Sequence, residues 1–415
     1  MGLAREIAEK AKKAQPQIAR ASSDKKNKIL QKIAEYLEEN IESILSANQK
    51  DLSNAEKNGA NKALLDRLKL DEKRVKALIK SVEEIIKLPD PVGQIIEMKP
   101  RPNGLLVGRM RIPLGVIATI YEARPGVTVD IASLCIKSGN AVILRGGSEA
   151  LETNSVLVQL IKKAIKDEGI DENIVGFIND PSREHIFELL KLEELIDLVI
   201  PRGGEGLIRF VAENSRVPVL KHYKGVCHIF VDEFADLEKA YRVCLNAKVQ
   251  RPSVCNAMET LLVHEKIAEK FLPTMGKIFR EHGVELRGCE KTRKIIPYAI
   301  PATEEDWYAE YLDLILAVKV VSSIDEAIEH IKKYGSSHTE AIITENLENA
   351  MKFIKEVDSS SVMVNASTRF ADGYEYGLGA EVGISTTKLH AYGPMGLEGL
   401  TTLKWIVFGN GHIRE

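Results

Sequence analysis

From Gly115 onward, short apolar runs alternate with helical stretches, and this alternation constrains the fold more than any other feature of the chain. GVIATIY, AVIL, IVGFIND and IDLVIP have the length and continuous apolarity of strands buried on both faces. Between them, VTVDIASLCIKSG reads as an amphipathic helix closed by Gly139, and Ser148 to Lys166 as a long helix with Ser148 at its N-cap. EHIFELLKL and GGEGLIRFVAEN continue the series. A second series begins near VCHIFVDE and runs through METLLVHEKIAEKFLPTMGKIFREHG, LILAVKVV, IDEAIEHIKKYG, AIITENLENAMKFIKEV and SVMVNAS. Such an order specifies mostly parallel sheets with helices on both faces. The fold class is α/β, with two doubly wound domains and a boundary near Lys221–Gly225.

The rest of the chain has a different period. Residues 1–88 read as helices, with Ile29, Ile33, Leu37, Ile41 and Leu45 at helical spacing and a second periodic stretch, Val75 to Leu88, stopping at Pro89. IIEMKP, RPNG and LLVGRMRI then read as two strands joined by a turn with Asn-Gly at its tip. This hairpin suits a projecting arm or an oligomer contact. The tail is rich in glycine and ends on a strand-like run, TLKWIVFG.

Composition narrows the function. Lys+Arg is 57 against Asp+Glu 60, which leaves no basic footprint for nucleic acid and no polybasic membrane patch. No apolar run reaches the roughly 18 residues a membrane span needs. The N-terminal MGLAREIAEKAKKAQPQ lacks a signal-peptide core, and Glu6 stands where myristoylation wants Ser or Thr. A cytoplasmic enzyme is expected. Five widely spaced cysteines without a CxxC pair argue against a disulfide scaffold and a cysteine zinc site. His222 and His228 are six apart with no third ligand in register, so no metal site is expected.

Several residues have settings that suit chemistry. Gly146 and Gly147 precede Ser148, and Gly203, Gly204 and Gly206 follow LVIPR; both are strand ends running into helices. Glycine lets a backbone approach a ligand and free helix N–H groups attract phosphate, yet any tight turn of this kind also needs glycine. Neither is GxGxxG. Cys135, Cys227 and Cys244 sit on core faces, whereas Cys255 lies in a polar loop, QRPSVCNAMET, beside Arg251 and Asn256. A thiolate needs nearby positive charge or N–H groups, which this loop offers. His338, in YGSSHTEAI, either faces a substrate or caps its turn. Arg369, in a loop rich in small polar residues, is placed to clamp a carboxylate or phosphate.

VSSIDEAIEHIKKYGSSHTEAI (321–342) resembles the signature of the gamma-glutamyl phosphate reductase family. IPLGVIATIYEARPGVTVD, GNAVILRGG, PVLKHYKGVCH, RPSVCNAMETLLVH, VNASTRFADGYEYGLGAEVGIST and GPMGLEGLTTLKW are also similar to it, as is, more broadly, the aldehyde dehydrogenase superfamily. The resemblance implies an aldehyde-dehydrogenase-like fold with a cofactor-binding domain (1–93 and 112–222), a catalytic domain (223–396) and a small β oligomerisation arm (94–111 and 397–415). It implies NADPH-dependent reduction of L-glutamyl 5-phosphate to L-glutamate 5-semialdehyde, with release of phosphate, in proline biosynthesis. Partners so implied are a second copy of the chain, as a homodimer or higher homo-oligomer, and the upstream glutamate kinase.

Carried over residue by residue, Cys255 matches the nucleophile that forms a thioester, with its own N–H and Asn256 beside it. Glu122-Ala123-Arg124-Pro125 replaces the superfamily's Trp-Asn-Phe-Pro, so Arg124 takes the place of an oxyanion-stabilising asparagine. Arg145, Gly146, Gly147, Ser148, Gly203, Gly204 and Glu310 match cofactor positions. Arg145 replaces a lysine and suits a 2′-phosphate, which favours NADP(H); a plain turn arginine is the alternative. Arg251, Arg369 and His338 are expected at the substrate. Leu220-Lys221-His222-Tyr223-Lys224-Gly225 carries no counterpart of the glutamate base of hydrolytic aldehyde dehydrogenases. The competing readings are a hydrolytic aldehyde dehydrogenase and a cysteine-dependent acyl hydrolase or transferase.

Overall fold

The computed structural model describes residues 2–414, with the backbone alone at position 63. The chain forms two compact units: residues 1–221, 377–383 and 395–415 make the first, and 222–376 with 384–394 the second.

In the first unit, β1 (Ile95–Pro100) and β2 (Leu106–Pro113) form an antiparallel hairpin. The C-terminal strand Thr401–Phe408 pairs antiparallel with β2, from Thr401 opposite Pro113 to Phe408 opposite Leu106. Gly104, in the loop between β1 and β2, has a φ of +88°, which only glycine adopts without strain. Next come β3 (Val116–Tyr121), β4 (Ala141–Gly146), β5 (Val175–Phe177) and β6 (Leu198–Arg202), a parallel sheet in the order β5-β4-β3-β6. Every residue of β3 and β4 is buried, as expected of a sheet covered on both faces.

The N-terminal helices supply that cover. Leu3–Ala19 turns Ala4, Ala8, Ala11, Ala14 and Ile18 inward; small side chains at this spacing bring the helix close to the sheet, and Ile7 occupies the space a side chain at Gly176 would need. The helix Gly126–Lys137 differs from the sequence expectation. It is buried from Ile131 through Lys137 rather than along one stripe, since helices Ser23–Glu39 and Glu72–Lys87 pack on its outer side.

The second unit holds β7 (Cys227–Val231), β8 (Met258–His264), β9 (Glu285–Gly288), β10 (Ile300–Pro301), β11 (Ile315–Val321), β12 (Thr339–Ile343) and β13 (Ser361–Val364). They form one parallel sheet ordered β10-β9-β11-β8-β7-β12-β13. Alternation along the central strands divides the core. Ile229, Val231, Leu261, Val263, Ala341 and Ile343 face helices Leu237–Val249 and Glu265–Glu281, while Phe230, Leu262 and Ile342 face helices Ile324–Tyr334 and Leu347–Glu356. Asp236, Ser323 and Asn346 cap three of these helices, each accepting from the backbone N–H three residues on.

Candidate active site

Three neighbouring strands of the second unit begin at one point, and the candidate nucleophile sits there. Cys255 precedes β8 by three residues, Cys227 opens β7, and His338 immediately precedes β12; β12, β7 and β8 are adjacent in the sheet. The site therefore lies at the amino ends of parallel strands, opposite to the usual place for ligands in open α/β sheets. Gly225, just before β7, explains how close the loops come. A side chain there would place its Cβ 2.6 Å from the carbonyl carbon of Cys255 and 2.7 Å from its Cα. The Gly225 N–H donates to Glu310 Oε1 at 2.9 Å, and the Val226 N–H donates to Ser336 Oγ at 2.9 Å.

Cys255 is half-buried, and its backbone N–H finds no acceptor among the described residues. Behind it, the fully buried Cys227 thiol donates to the Cys255 carbonyl at 3.2 Å and lies 3.8 Å from His338 Nδ1. Burial, reinforced by Glu340, pushes the Cys227 thiol well above its ordinary pKa, so it stays a neutral donor. His338 is buried, with Nδ1 2.8 Å from Thr339 Oγ1. His222 Nδ1 meets the Ile384 carbonyl at 3.0 Å. The donor atoms of His222, Cys255 and His338 lie within 4.8 Å of one another.

The arginines come from two loops. Arg251 is exposed ahead of Cys255. Arg369, in a short turn after β13, donates Nε to Gln250 Oε1 at 2.8 Å and Nη1 to Asn256 Oδ1. Burial lowers the Arg369 pKa, Arg251 lowers it further, and Cys255 acts in the opposite sense. The guanidinium is thus within electrostatic reach of both. Asn256 is buried, and its amide donates to the Ala371 carbonyl at 3.0 Å. It faces the 369–371 segment, where it holds Arg369. Glu310 is engaged with Gly225, a partner its sequence setting did not suggest.

In the first unit the expected cofactor positions gather at the carboxyl ends of adjacent strands, with Tyr121 opposite both Gly146 and Arg202. Carboxylates occupy the glycine turns. Glu149 stands where a Gly147 side chain would be and accepts from the Ala123 N–H at 2.6 Å; Glu122 does the same at Gly203 and accepts from the Gly204 N–H at 3.0 Å. Gly146 is required by the Asn154 amide and the Tyr121 ring. Arg145 is neither a surface residue nor presented outward: it is 8% exposed, donating Nη1 to the Gly146 carbonyl and Nη2 to the Pro181 carbonyl. Ser148 is not an N-cap. It opens a short 3-10 turn, and the helix Leu151–Asp167 is capped from afar by Asp51, which accepts from the N–H groups of Glu152 and Thr153. Arg124 is exposed and follows Ala123, whose φ of +39° is unusual for a residue with a side chain.

Gly204 has no heavy atom within 4 Å of where a side chain would begin. Sequence reasoning missed Glu122, Glu149, Asp51 and the proximity of Cys227 and His222 to Cys255. Only contacts between distant segments reveal these.

Residues 3–287 match the model of the aldehyde dehydrogenase family. A gamma-glutamyl phosphate reductase from Thermodesulfovibrio yellowstonii is 61% identical over 98% of both chains, and one from Carboxydothermus hydrogenoformans 57% identical over 98% of both. The crystal structure of gamma-glutamyl phosphate reductase from Thermotoga maritima superposes with a TM-score of 0.98 at 52% identity, covering 100% of both chains. An acetylating aldehyde dehydrogenase from Geobacillus thermoglucosidasius, 17% identical with a TM-score of 0.70, shares the fold. Among the described residues no helix is long and apolar enough to cross a membrane. The chain belongs to the gamma-glutamyl phosphate reductases, within the aldehyde dehydrogenase family.

Proposed function

We propose that the chain reduces L-glutamyl 5-phosphate to L-glutamate 5-semialdehyde and phosphate, with Cys255 as the nucleophile and NADPH as the reductant. The observation that carries this reading is a half-buried thiol with Arg369 within electrostatic reach and Arg251 four residues away in the same loop. Positive charge draws an anionic acyl phosphate to the sulfur. The thiolate attacks the acyl carbon, the C–O bond to phosphate breaks, and phosphate leaves with the electron pair, giving a thioester. The Cys255 N–H is available to the oxygen that becomes negative during attack. NADPH, when bound, would supply the hydride that reduces the thioester carbon. The resulting hemithioacetal then loses the sulfur, returning the thiolate and releasing aldehyde.

Glu122, Glu149 and Gly204 are proposed to line the cofactor ribose, and Arg124 to meet the phosphate. Arg145 supports the loop at Pro181 with two of its five N–H groups, and the others are proposed to serve a 2′-phosphate. The arm is proposed to pair with a second copy: Ile95, Ile96, Trp405, Val407 and Phe408 are exposed on it.

The reverse reaction tests the chemistry. Wild type and Cys255→Ser are incubated with glutamate semialdehyde and NADP+, with and without phosphate. NADPH formation that requires both phosphate and Cys255 is expected. Turnover without phosphate would replace this reading with the hydrolytic one.

A further inference from the structure

A cysteine and two histidines that no sequence spacing links converge at the start of the second unit's central strands. The donor atoms of His222, Cys255 and His338 lie within 4.8 Å of one another. Tetrahedral zinc, with Zn–S of about 2.3 Å and Zn–N of about 2.0–2.1 Å, needs donor separations of about 3.3–3.6 Å, so side-chain shifts of about 1 Å close the set. Each histidine has its Nδ1 engaged. His222 Nδ1 meets the Ile384 carbonyl, which can only accept, so that nitrogen carries the proton and Nε2 keeps its lone pair. His338 Nδ1 is held against Thr339 Oγ1 at 2.8 Å. Support of this kind fixes tautomer and ring orientation in metal sites. His222 and Cys255 are half-buried, which leaves the set open to solvent on one side.

We propose that Cys255, His222 and His338 form a reversible binding site for a thiophilic divalent cation of the zinc class. One thiolate and two imidazoles suit zinc, and three protein ligands leave a fourth position for water or an anion. Binding releases the Cys255 proton to solvent and occupies the sulfur, so the metal and any acyl group exclude one another. The site does not depend on the reductase reading, because it needs neither cofactor nor substrate. The sequence offered no such site: His222 and His338 are brought together only by the pairing of β7 with β12.

Cobalt(II) is the probe, added to the reduced, chelator-treated full-length protein without cofactor or substrate. A thiolate-to-cobalt charge-transfer band with four-coordinate d–d bands is expected, and zinc should displace it. Cys255→Ser, which keeps the other four cysteines, should abolish the band. His222→Ala should weaken binding by at least about tenfold. Zinc should also slow iodoacetamide alkylation of Cys255 in the wild type, a readout that needs no variant to fold. Absence of the band in wild type, its persistence in Cys255→Ser, unchanged affinity in His222→Ala, or alkylation indifferent to zinc would each overturn the proposal.

Discussion

Replacing Gly225 with alanine should cripple turnover although Gly225 contributes no side chain to the chemistry. The new Cβ would stand 2.6 Å from the carbonyl carbon and 2.7 Å from the Cα of Cys255, where ordinary contact begins at 3.4 Å. Both neighbours are backbone, so no flexible side chain can yield. Clearing the carbonyl carbon alone takes 3.4 − 2.6 = 0.8 Å, and the carbonyl oxygen is closer still. Displacing a nucleophile by about 1 Å costs about 100-fold in rate, or about 2.7 kcal/mol of activation free energy. The shift also strains the Gly225 N–H bond to Glu310 and the Cys227 bond to the Cys255 carbonyl, and overpacking should lower stability by about 1–3 kcal/mol. The assay is kcat of the phosphate-dependent reverse reaction, with the urea midpoint measured in parallel. A folded Gly225→Ala protein with kcat within about threefold of wild type would show that the loop moves freely and that the close approach does not position the thiol.

Other perturbations test the frame around the site. Asp51→Ala removes the remote cap of helix Leu151–Asp167 and leaves the Thr153 hydroxyl and two N–H groups without their acceptor, so a loss of about 2 kcal/mol is expected in urea unfolding. Lys248 and Glu259 are fully buried against each other at 2.6 Å; burial lowers the lysine pKa and pushes the glutamate up to about 7. At pH 8, Lys248→Met should cost about 3–5 kcal/mol, and Lys248→Met with Glu259→Leu should recover most of it. His330, packed among His228, Trp307 and Tyr334, has its pKa lowered from 6.5 to about 2, chiefly by burial. Below pH 6.5 the unfolded chain binds a proton that the folded chain refuses, so stability present above pH 6.5 falls with pH by up to about 1.4 kcal/mol per unit. His330→Phe should flatten that slope between pH 6.5 and 5; an unchanged slope would assign the acid sensitivity elsewhere.

The fold was legible because its determinants are periodic. Strands such as Val116–Tyr121 are continuous apolar runs of strand length, and they lie where the sequence places them. The helix at Gly126–Lys137 was misjudged in character, because its burial depends on helices 50 to 100 residues earlier. The site was legible only where chemistry is local. Cys255 stood out by the polar loop around it, and Arg369 by its small polar neighbours. Asn256 and Arg145 show what flanking residues leave undecided: whether a polar side chain also serves a distant carbonyl is set by tertiary contacts. Arg145 meets Pro181 and Asn256 meets Ala371, and neither partner can be inferred from flanking residues.

Those tertiary contacts also bear on why a thioester at Cys255 would outlast water. Hydrolysis needs a base beside the thioester, and the 220–225 stretch that carries a glutamate in hydrolytic aldehyde dehydrogenases is committed here to holding backbone. His222 fixes the Ile384 carbonyl, and Gly225 fixes Glu310. Glu310 is the carboxylate bound to this stretch. Its Oε1 already accepts the Gly225 N–H. Arg251 and Arg369 are suited to drawing in an acyl phosphate, and a guanidinium gives water no proton acceptor. In the proposed mechanism the thioester is therefore spared a carboxylate base in the 220–225 stretch, and the ring nitrogens of His222 and His338 are the bases left beside Cys255.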